Sequence, residues 1–362
     1  MHDTARGSRR RFRAPGRVNL IGGQVDYHEG LVVSMAVDRD VVVEVRARAD
    51  ARVFARSDAV EGVVDLAADG SDEPSSVHPA WGRPVGGVLR ALARRGRTPV
   101  GAALDVSSTL PIGGGLSSSA AFEVAVALAL CDVAGLTPGP VELATACQEA
   151  EHAGLGVPCG IQDQLTSIAA RRGHVMLLDC RTLEVEHLLL PADVRVVVID
   201  SGVPRTLAGS PWAQRRAESF AAASSLGLRA LRDATPEQVR DLPRARHVVS
   251  EIARVRAFAD ALRAGDTGSL GGLLVASHES SRDDMEVSIS ELDVLVACLV
   301  EAGAYGARLT GGGFGGCVVA LAPRARAAEV ARSASAAYES RTGRRSTAWV
   351  VAPADGAGPA LS

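Results

Sequence analysis

A chain of mixed helices and strands, long enough for one large domain or two ordinary ones, is predicted by three features of this 362-residue sequence. A strand-like run, GAALDVSSTLP, delivers a glycine loop, PIGGGLSSSAA, into an alanine-rich apolar run of helical length. Two β-branched runs, LVVSMAV and VVVEVRA, read as strands within the first fifty residues. Near residue 190 the pattern changes: LLLPADVRVVVIDSG gives a strand whose proline-bearing approach marks an interdomain crossing, and a long, mostly helical region follows.

Taken in order, residues 13–19 (RAPGRVN) enter the apolar segment LIGG, and a polar turn, QVDYHEG, comes next. The charged triplet Asp38-Arg39-Asp40 separates the two β-branched runs as the turn of a hairpin would. A loop held between strands commonly carries binding residues, which makes Arg17 and Asp26 candidates; a surface ion pair is the plainer reading of each. Residues 51–80 read as a strand pair and a loop, and Trp81 opens a helix, GRPVGGVLRALARRG. Its indole either stacks on a nucleotide base or anchors the helix start. A helix over 141–154 carries Glu149 and Glu151, and Asp163 follows in IQDQLTSIAA. The polar cluster SHESSRDDMEVS, at 277–288, is too dense for an ordinary core helix and is expected to face a ligand. A second glycine loop, LTGGGFGG, precedes a strand, then an amphipathic helix, a last strand and a tail, ADGAGPALS, expected to fray.

Composition removes several function classes. The net charge of −3 gives no basic excess for nucleic acid, and no apolar run is long enough to span a bilayer. The N-terminus lacks the apolar core of a secretory signal, so a cytoplasmic protein is expected. The six cysteines show no CxxC spacing and read as small core residues. There is no lysine, which excludes a Walker A loop, the lysine of a protein kinase and any Schiff base. Phosphate would have to be held by backbone, hydroxyls, metal or arginine.

The loop around Gly113, Gly114 and Gly115 suits that task, because without Cβ atoms its N–H groups can approach an anion closely. Leu116 and the serines Ser117, Ser118 and Ser119 then sit at a helix N-terminus, where free N–H groups and the dipole favour negative charge. A capped, buried helix after a flexible loop is the alternative. Glu151 and Asp163, with Ser119, are of the right type to supply a Mg²⁺ ligand and a base.

Together, APGRVNLIGGQVDYHEG, PIGGGLSSSAAFEVA, CGIQDQ and LTGGGFGGCVVAL resemble the GHMP superfamily of small-molecule kinases, in its galactokinase branch. Two further stretches, SGVPRTLAGSPWAQRRAE and ARHVVSEIARV with SHESSRDDMEVSISELD, resemble that branch more narrowly, and the likeness runs from residue 13 to about 352. The resemblance implies an α+β fold of two domains, an N-terminal one with a left-handed β-α-β unit over 1–192 and a ferredoxin-like one over 193–352, with 353–362 a tail. It implies ATP and Mg²⁺ as cofactors and a small sugar as partner. Gly113 to Ser119 would wrap the nucleotide phosphates, and the loop from Gly311 to Gly316, with Gly312 and Gly313, would complete the cleft near the phosphates and the catalytic carboxylate. Ser119 and Glu151 would hold the metal. Asp163 would take or orient the proton of the anomeric hydroxyl, and Arg17 would stabilise the developing charge. Asp26 and the Gly160 backbone would hold the sugar, with Trp212 beside it.

This chain departs from that pattern at the sugar. Gly23 and Gln24 stand where the branch has the glutamate and histidine that contact the hydroxyl on carbon 6, Trp212 replaces a tyrosine, and Met285 stands where a tyrosine is usual. Glycine removes volume and charge, which favours an extended sugar such as a heptose or an octose phosphate of the lincosamide antibiotic type, with Arg205 or Arg215 lining the pocket. An arabinokinase or a true galactokinase is the alternative within the class. A non-catalytic sugar sensor is the alternative from another class.

Overall fold

The computed structural model describes residues 9–111, 114–156, 159–204 and 211–360. The chain divides into two compact units, one of Met1–Arg17, Ala36–Ala170 and Asp355–Ser362, the other of Val18–Met35 and Arg171–Ala354. This division is not a single cut at residue 192. Two long strands, β1 (Arg10–Ile21) and β2 (Leu31–Arg48), each contribute to both units.

The first unit continues with β3 (Arg52–Ser57), β4 (Val64–Ala67), α1 (Arg83–Ala93), β5 (Gly101–Ser108), α2 (Ser118–Ala134), α3 (Pro140–Leu155) and α4 (Gln162–Ala169). β3 and β5 run parallel, with Val53 opposite Ala102, and are joined through β4 and α1. α2 is apolar all round and buried, as a helix inside a core should be. It stops where Gly135 adopts φ +67 and the Leu136 N–H bonds back to the Cys131 carbonyl. α3 starts at Pro140, whose missing N–H costs nothing at a first helical position. Gly87 lets α1 approach α3: a Cβ there would lie 2.5 Å from the Ala150 carbonyl oxygen.

In the second unit, β6 (His174–Asp179) pairs with Leu31–Ser34 of β2 and with β7 (Val185–Leu189). Then follow β8 (Val194–Asp200), α5 (Pro211–Ser225), α6 (Pro243–Ala264), α7 (Thr267–Asp283), α8 (Ser290–Glu301), β9 (Gly306–Thr310), β10 (Cys317–Pro323), α9 (Ala327–Thr342) and β11 (Thr347–Val351). Four of these strands form an antiparallel sheet in the order β11-β8-β10-β9, which is the ferredoxin-like arrangement implied by the resemblance. Its core gathers Ile199, Leu295, Leu309, Val318 and Tyr338.

Two expectations about elements are corrected. The runs flanking Asp38-Arg39-Asp40 form one 18-residue strand, not a hairpin. The triplet lacks the glycine or asparagine of a tight turn, and Asp40 is tied in place by backbone bonds with Thr109 and by Arg13 at 2.8 Å. The expected tail also has structure: β12 (Gly358–Pro359) pairs with Arg13 and Phe12 of β1, and the first unit's sheet runs β12-β1-β2-β5-β3-β4. Among the described residues, no helix is long and apolar enough to cross a membrane.

Candidate active site

In the first unit, β1 carries Arg17 beside the glycine loop, and the Arg17 N–H donates to the Leu116 carbonyl at 3.0 Å. The preceding residue must be small, since a Cβ on Gly16 would lie 2.4 Å from Leu110 Cδ2. α4 presents Asp163 in its first turn. Arg17 Nε donates to Asp163 Oδ1 at 2.6 Å, and Arg17 Nη2 and the Ser117 hydroxyl both donate to Oδ2. Ser117 itself has φ +52, a left-handed backbone that a serine seldom adopts and that functional loops often contain. Gly114 and Gly115 precede it, Gly115 at φ +70, and Leu116 is a buried anchor. Gly113 lies outside the described residues. Ser118 begins α2.

At the second residue of α2, the Ser119 hydroxyl donates to Glu151 Oε1 at 3.2 Å. Glu151 Oε2 accepts from Gln164 Nε2 at 2.6 Å and from the Cys159 thiol at 3.1 Å. Burial, with Asp163 adding repulsion, raises the Glu151 pKa. Glu123, fully buried on α2, is pushed up further, by burial and by Glu151. Among the described residues, no group of three His, Cys, Asp or Glu side chains is arranged around a cation. Ser119 and Glu151 still fit Mg²⁺, because both offer oxygen and that ion is commonly completed by phosphate and water.

A second constellation lies in the second unit, around the turn from Gly22 to Gly30. Gln24 has φ +63, and its amide is committed at both ends: Nε2 donates to the Gly311 carbonyl at 3.1 Å, while Oε1 accepts from Trp212 Nε1 at 2.9 Å and Tyr27 OH at 3.1 Å. Glycine at 23 does not open space for a longer sugar. A Cβ there would lie 2.3 Å from Nη2 of Arg308, which is completely buried, so the room expected at this position is filled. Arg308 Nη1 bonds Asn19 Oδ1 at 2.9 Å, but among the described residues Nε and Nη2 have no acceptor.

Glu251, on α6, holds the same turn. Its Oε1 accepts from the N–H groups of Gly22 and Gly23, at 2.9 and 3.2 Å, and from the Ser277 hydroxyl at 2.6 Å; Oε2 accepts from Arg254 at 2.8 Å. Burial alone would raise its pKa, yet Arg308, His247 and Arg254 hold it at about 2. His247 Nε2 donates to the Gly23 carbonyl at 3.0 Å.

The remaining expected residues are spread through the fold. Asp26 opens the short helical turn Asp26–His28 and is half-buried. Gly160 lies two residues before α4. Gly312 and Gly313 belong to the loop between β9 and β10, and Gly313 packs against the Val287 carbonyl, leaving no room for a side chain. Trp81 stands just before α1, its Nε1 donating to the Glu61 carbonyl at 3.1 Å and its ring 6.2 Å from that of Phe122. Met285 is a fully buried core residue. Arg215 is paired with Glu218 and Glu286, and Arg205 lies outside the described residues. The polar cluster at 277–288 does not need a ligand to explain it. Ser277 bonds Glu251, His278 bonds Asp293 at 3.0 Å and Ser280 lies 2.9 Å from His247.

Sequence reasoning did not single out Arg308, Glu251, His247, Tyr27, Glu123 or Gln164. The signal for Arg308 was available: a cation set inside an otherwise apolar strand immediately before a glycine loop.

Known proteins resemble this chain in sequence and fold. The GHMP kinases N terminal domain family matches residues 83–171, the GHMP kinases C terminal family residues 258–340, and the galactokinase galactose-binding signature residues 3–47. A galactokinase of Roseiflexus sp. (strain RS-1) is 43% identical over 96% of this chain and 92% of its own. A galactokinase of Chloroflexus aggregans (strain MD-66 / DSM 9485) is 44% identical over 92% of this chain and 88% of its own. The crystal structure of Lactococcus lactis galactokinase complexed with galactose superposes with a TM-score of 0.91 and 30% identity, covering 98% of this chain and 95% of that one.

Proposed function

Because this chain belongs to the GHMP kinases and is a sugar kinase of their galactokinase branch, we propose that it transfers the γ-phosphoryl group of ATP to the anomeric hydroxyl of galactose. The observation that carries this reading is the clamp of Arg17 and Ser117 on Asp163 beside the glycine loop. Galactose is favoured over an extended sugar because the named relatives are galactokinases and because Arg308 fills the space next to Gly23. An octose, a heptose or arabinose has no such support.

In this reading the γ-phosphorus–oxygen bond to ADP breaks as the bond to the sugar's O1 forms. Asp163 Oδ1, which accepts one bond in this structure, has a lone pair left for the hydroxyl proton. Arg17 holds that carboxylate in a two-point grip and brings positive charge to the transferring group. The N–H groups of the loop from Gly115 to Ser119 would bind phosphate oxygens, with Gly312 and Gly313 as further glycine contacts. Ser119 and Glu151 would hold Mg²⁺, which neutralises phosphate charge when bound. Asp26, Gly160, Gln24 and Trp212 make the sugar side.

The test is ³¹P NMR of the full chain incubated with Mg-ATP and galactose. Galactose 1-phosphate and stoichiometric ADP are expected. Binding of galactose with no consumption of ATP by folded protein would favour the sensor instead.

A further inference from the structure

The corner made by Gly23, Gln24 and Arg308 holds buried hydrogen-bond donors. Arg308 is wholly buried, and among the described residues its Nε and Nη2 groups lack partners, with Nη2 directly beneath Gly23. Leaving such donors unmatched inside a protein is costly, so they call for an acceptor. Glu251 cannot serve. Its Oε1 already takes three donors and its Oε2 takes Arg254. Gln24 cannot serve either, since its carbonyl oxygen takes two donors and its NH₂ keeps only one unassigned proton.

Among the described residues, Glu251 is the one buried carboxylate beside the buried guanidinium of Arg308, while Arg254 is partly exposed and is met in part by solvent. Burial keeps His247 from gaining a proton by lowering its pKa. Asp26, two residues beyond Gln24, is a carboxylate in the same turn and is placed on the sugar side in the proposed reading.

We propose that this corner recognises a carboxylate on the sugar, so that the chain phosphorylates a hexuronic acid of galacto configuration at O1 at least as well as galactose. The inference rests on the sugar-kinase reading above and on the resemblance, which sets the sugar's carbon 6 at the positions of Gly23 and Gln24. A hydroxymethyl group there offers one oxygen that both donates and accepts. A carboxylate only accepts, and it matches the Gln24 and Arg308 donors.

The experiment compares kcat/KM of the full chain with Mg-ATP for D-galacturonate and for D-galactose, by ADP release, with the sugar 1-phosphate identified by ³¹P NMR. The galacturonate value is expected to equal or exceed that for galactose. Galactose turnover with galacturonate at least 10-fold worse would overturn the inference and leave the kinase reading standing; turnover of neither sugar by folded protein would overturn both. Arg308→Gln keeps much of the shape and removes the charge, and the galacturonate-to-galactose ratio of kcat/KM is expected to fall at least 10-fold. An unchanged ratio in folded Arg308→Gln would also overturn it, because a merely structural role would slow both sugars alike.

Discussion

The two constellations differ in how their donors and acceptors balance. Each carboxylate oxygen of Asp163 and Glu151 receives at least one donor, from Arg17, Ser117, Ser119, Gln164 or Cys159, while Oε1 of the neighbouring Glu123 has none among the described residues. Around Gly23, Arg308 keeps N–H groups that are unmatched among the described residues. In the proposed reading the first set carries the chemistry and the second the choice of sugar, with the unmatched Arg308 donors left for what binds.

The most severe way to break the first arrangement is Asp163→Asn. It keeps the shape but exchanges an acceptor oxygen for an NH₂ facing Arg17 and Ser117, and it removes the proton acceptor. Turnover should fall by roughly 10² or more, as for loss of a general base, with ATP affinity nearly unchanged. Steady-state kinetics with a nucleotide-binding titration checks both halves. Turnover within a few-fold of the parent would remove Asp163 from the reaction.

Gln24→Ala tests the second arrangement with a smaller expected loss. It strips partners from Trp212 Nε1, Tyr27 OH and the Gly311 carbonyl at once. Half-buried groups left unpaired cost about 1 kcal/mol each, so the stability loss should be about 2–3 kcal/mol in urea unfolding. The KM for the sugar should rise while the KM for ATP stays put. Equal rises in both would mean that the amide does not belong to the sugar side.

The asymmetry between the constellations also explains what was legible in the sequence. The glycine loop, its serines, Glu151 and Asp163 stand in stretches whose composition already points to phosphate chemistry, and the structure brings Arg17, Ser117 and Asp163 into contact. The strand order of the ferredoxin-like sheet follows the resemblance. The volume next to Gly23 was not legible, because it depends on a residue 285 positions later in the chain whose guanidinium fills it. The polar run at 277–288 misled for a related reason. Its serines and histidine satisfy Glu251, His247 and Asp293, partners that only folding supplies. The charged triplet at 38–40 looked like a turn because pairing of its backbone with Thr109 is invisible in one dimension.

Ser119→Ala should be milder still. It removes one of two proposed metal ligands and leaves Glu151, which keeps its bonds from Gln164 and Cys159. The Mg²⁺ concentration for half-maximal rate should rise several-fold, with the rate at saturating Mg²⁺ reduced less than in Asp163→Asn. An unchanged Mg²⁺ requirement would leave Ser119 as a structural partner of Glu151 alone.

The smallest effect is expected at Trp81, where nucleotide stacking and structural anchoring make opposite forecasts. Stacking needs a ring face, and phenylalanine retains one, so Trp81→Phe would leave the ATP KM unchanged while Trp81→Ala would raise it several-fold. Anchoring instead depends on the Nε1 bond to the Glu61 carbonyl at 3.1 Å and on the ring's contact with Phe122. Phenylalanine loses the bond, worth about 1 kcal/mol, and alanine loses both bond and contact. Anchoring is the expected outcome, since the structure commits both the indole N–H and one side of the ring to the protein. The melting temperature should then fall by about 2 °C in Trp81→Phe and further in Trp81→Ala, with the ATP KM within about twofold of the parent in both. A several-fold rise in KM confined to Trp81→Ala would reverse the assignment and return the indole to the nucleotide.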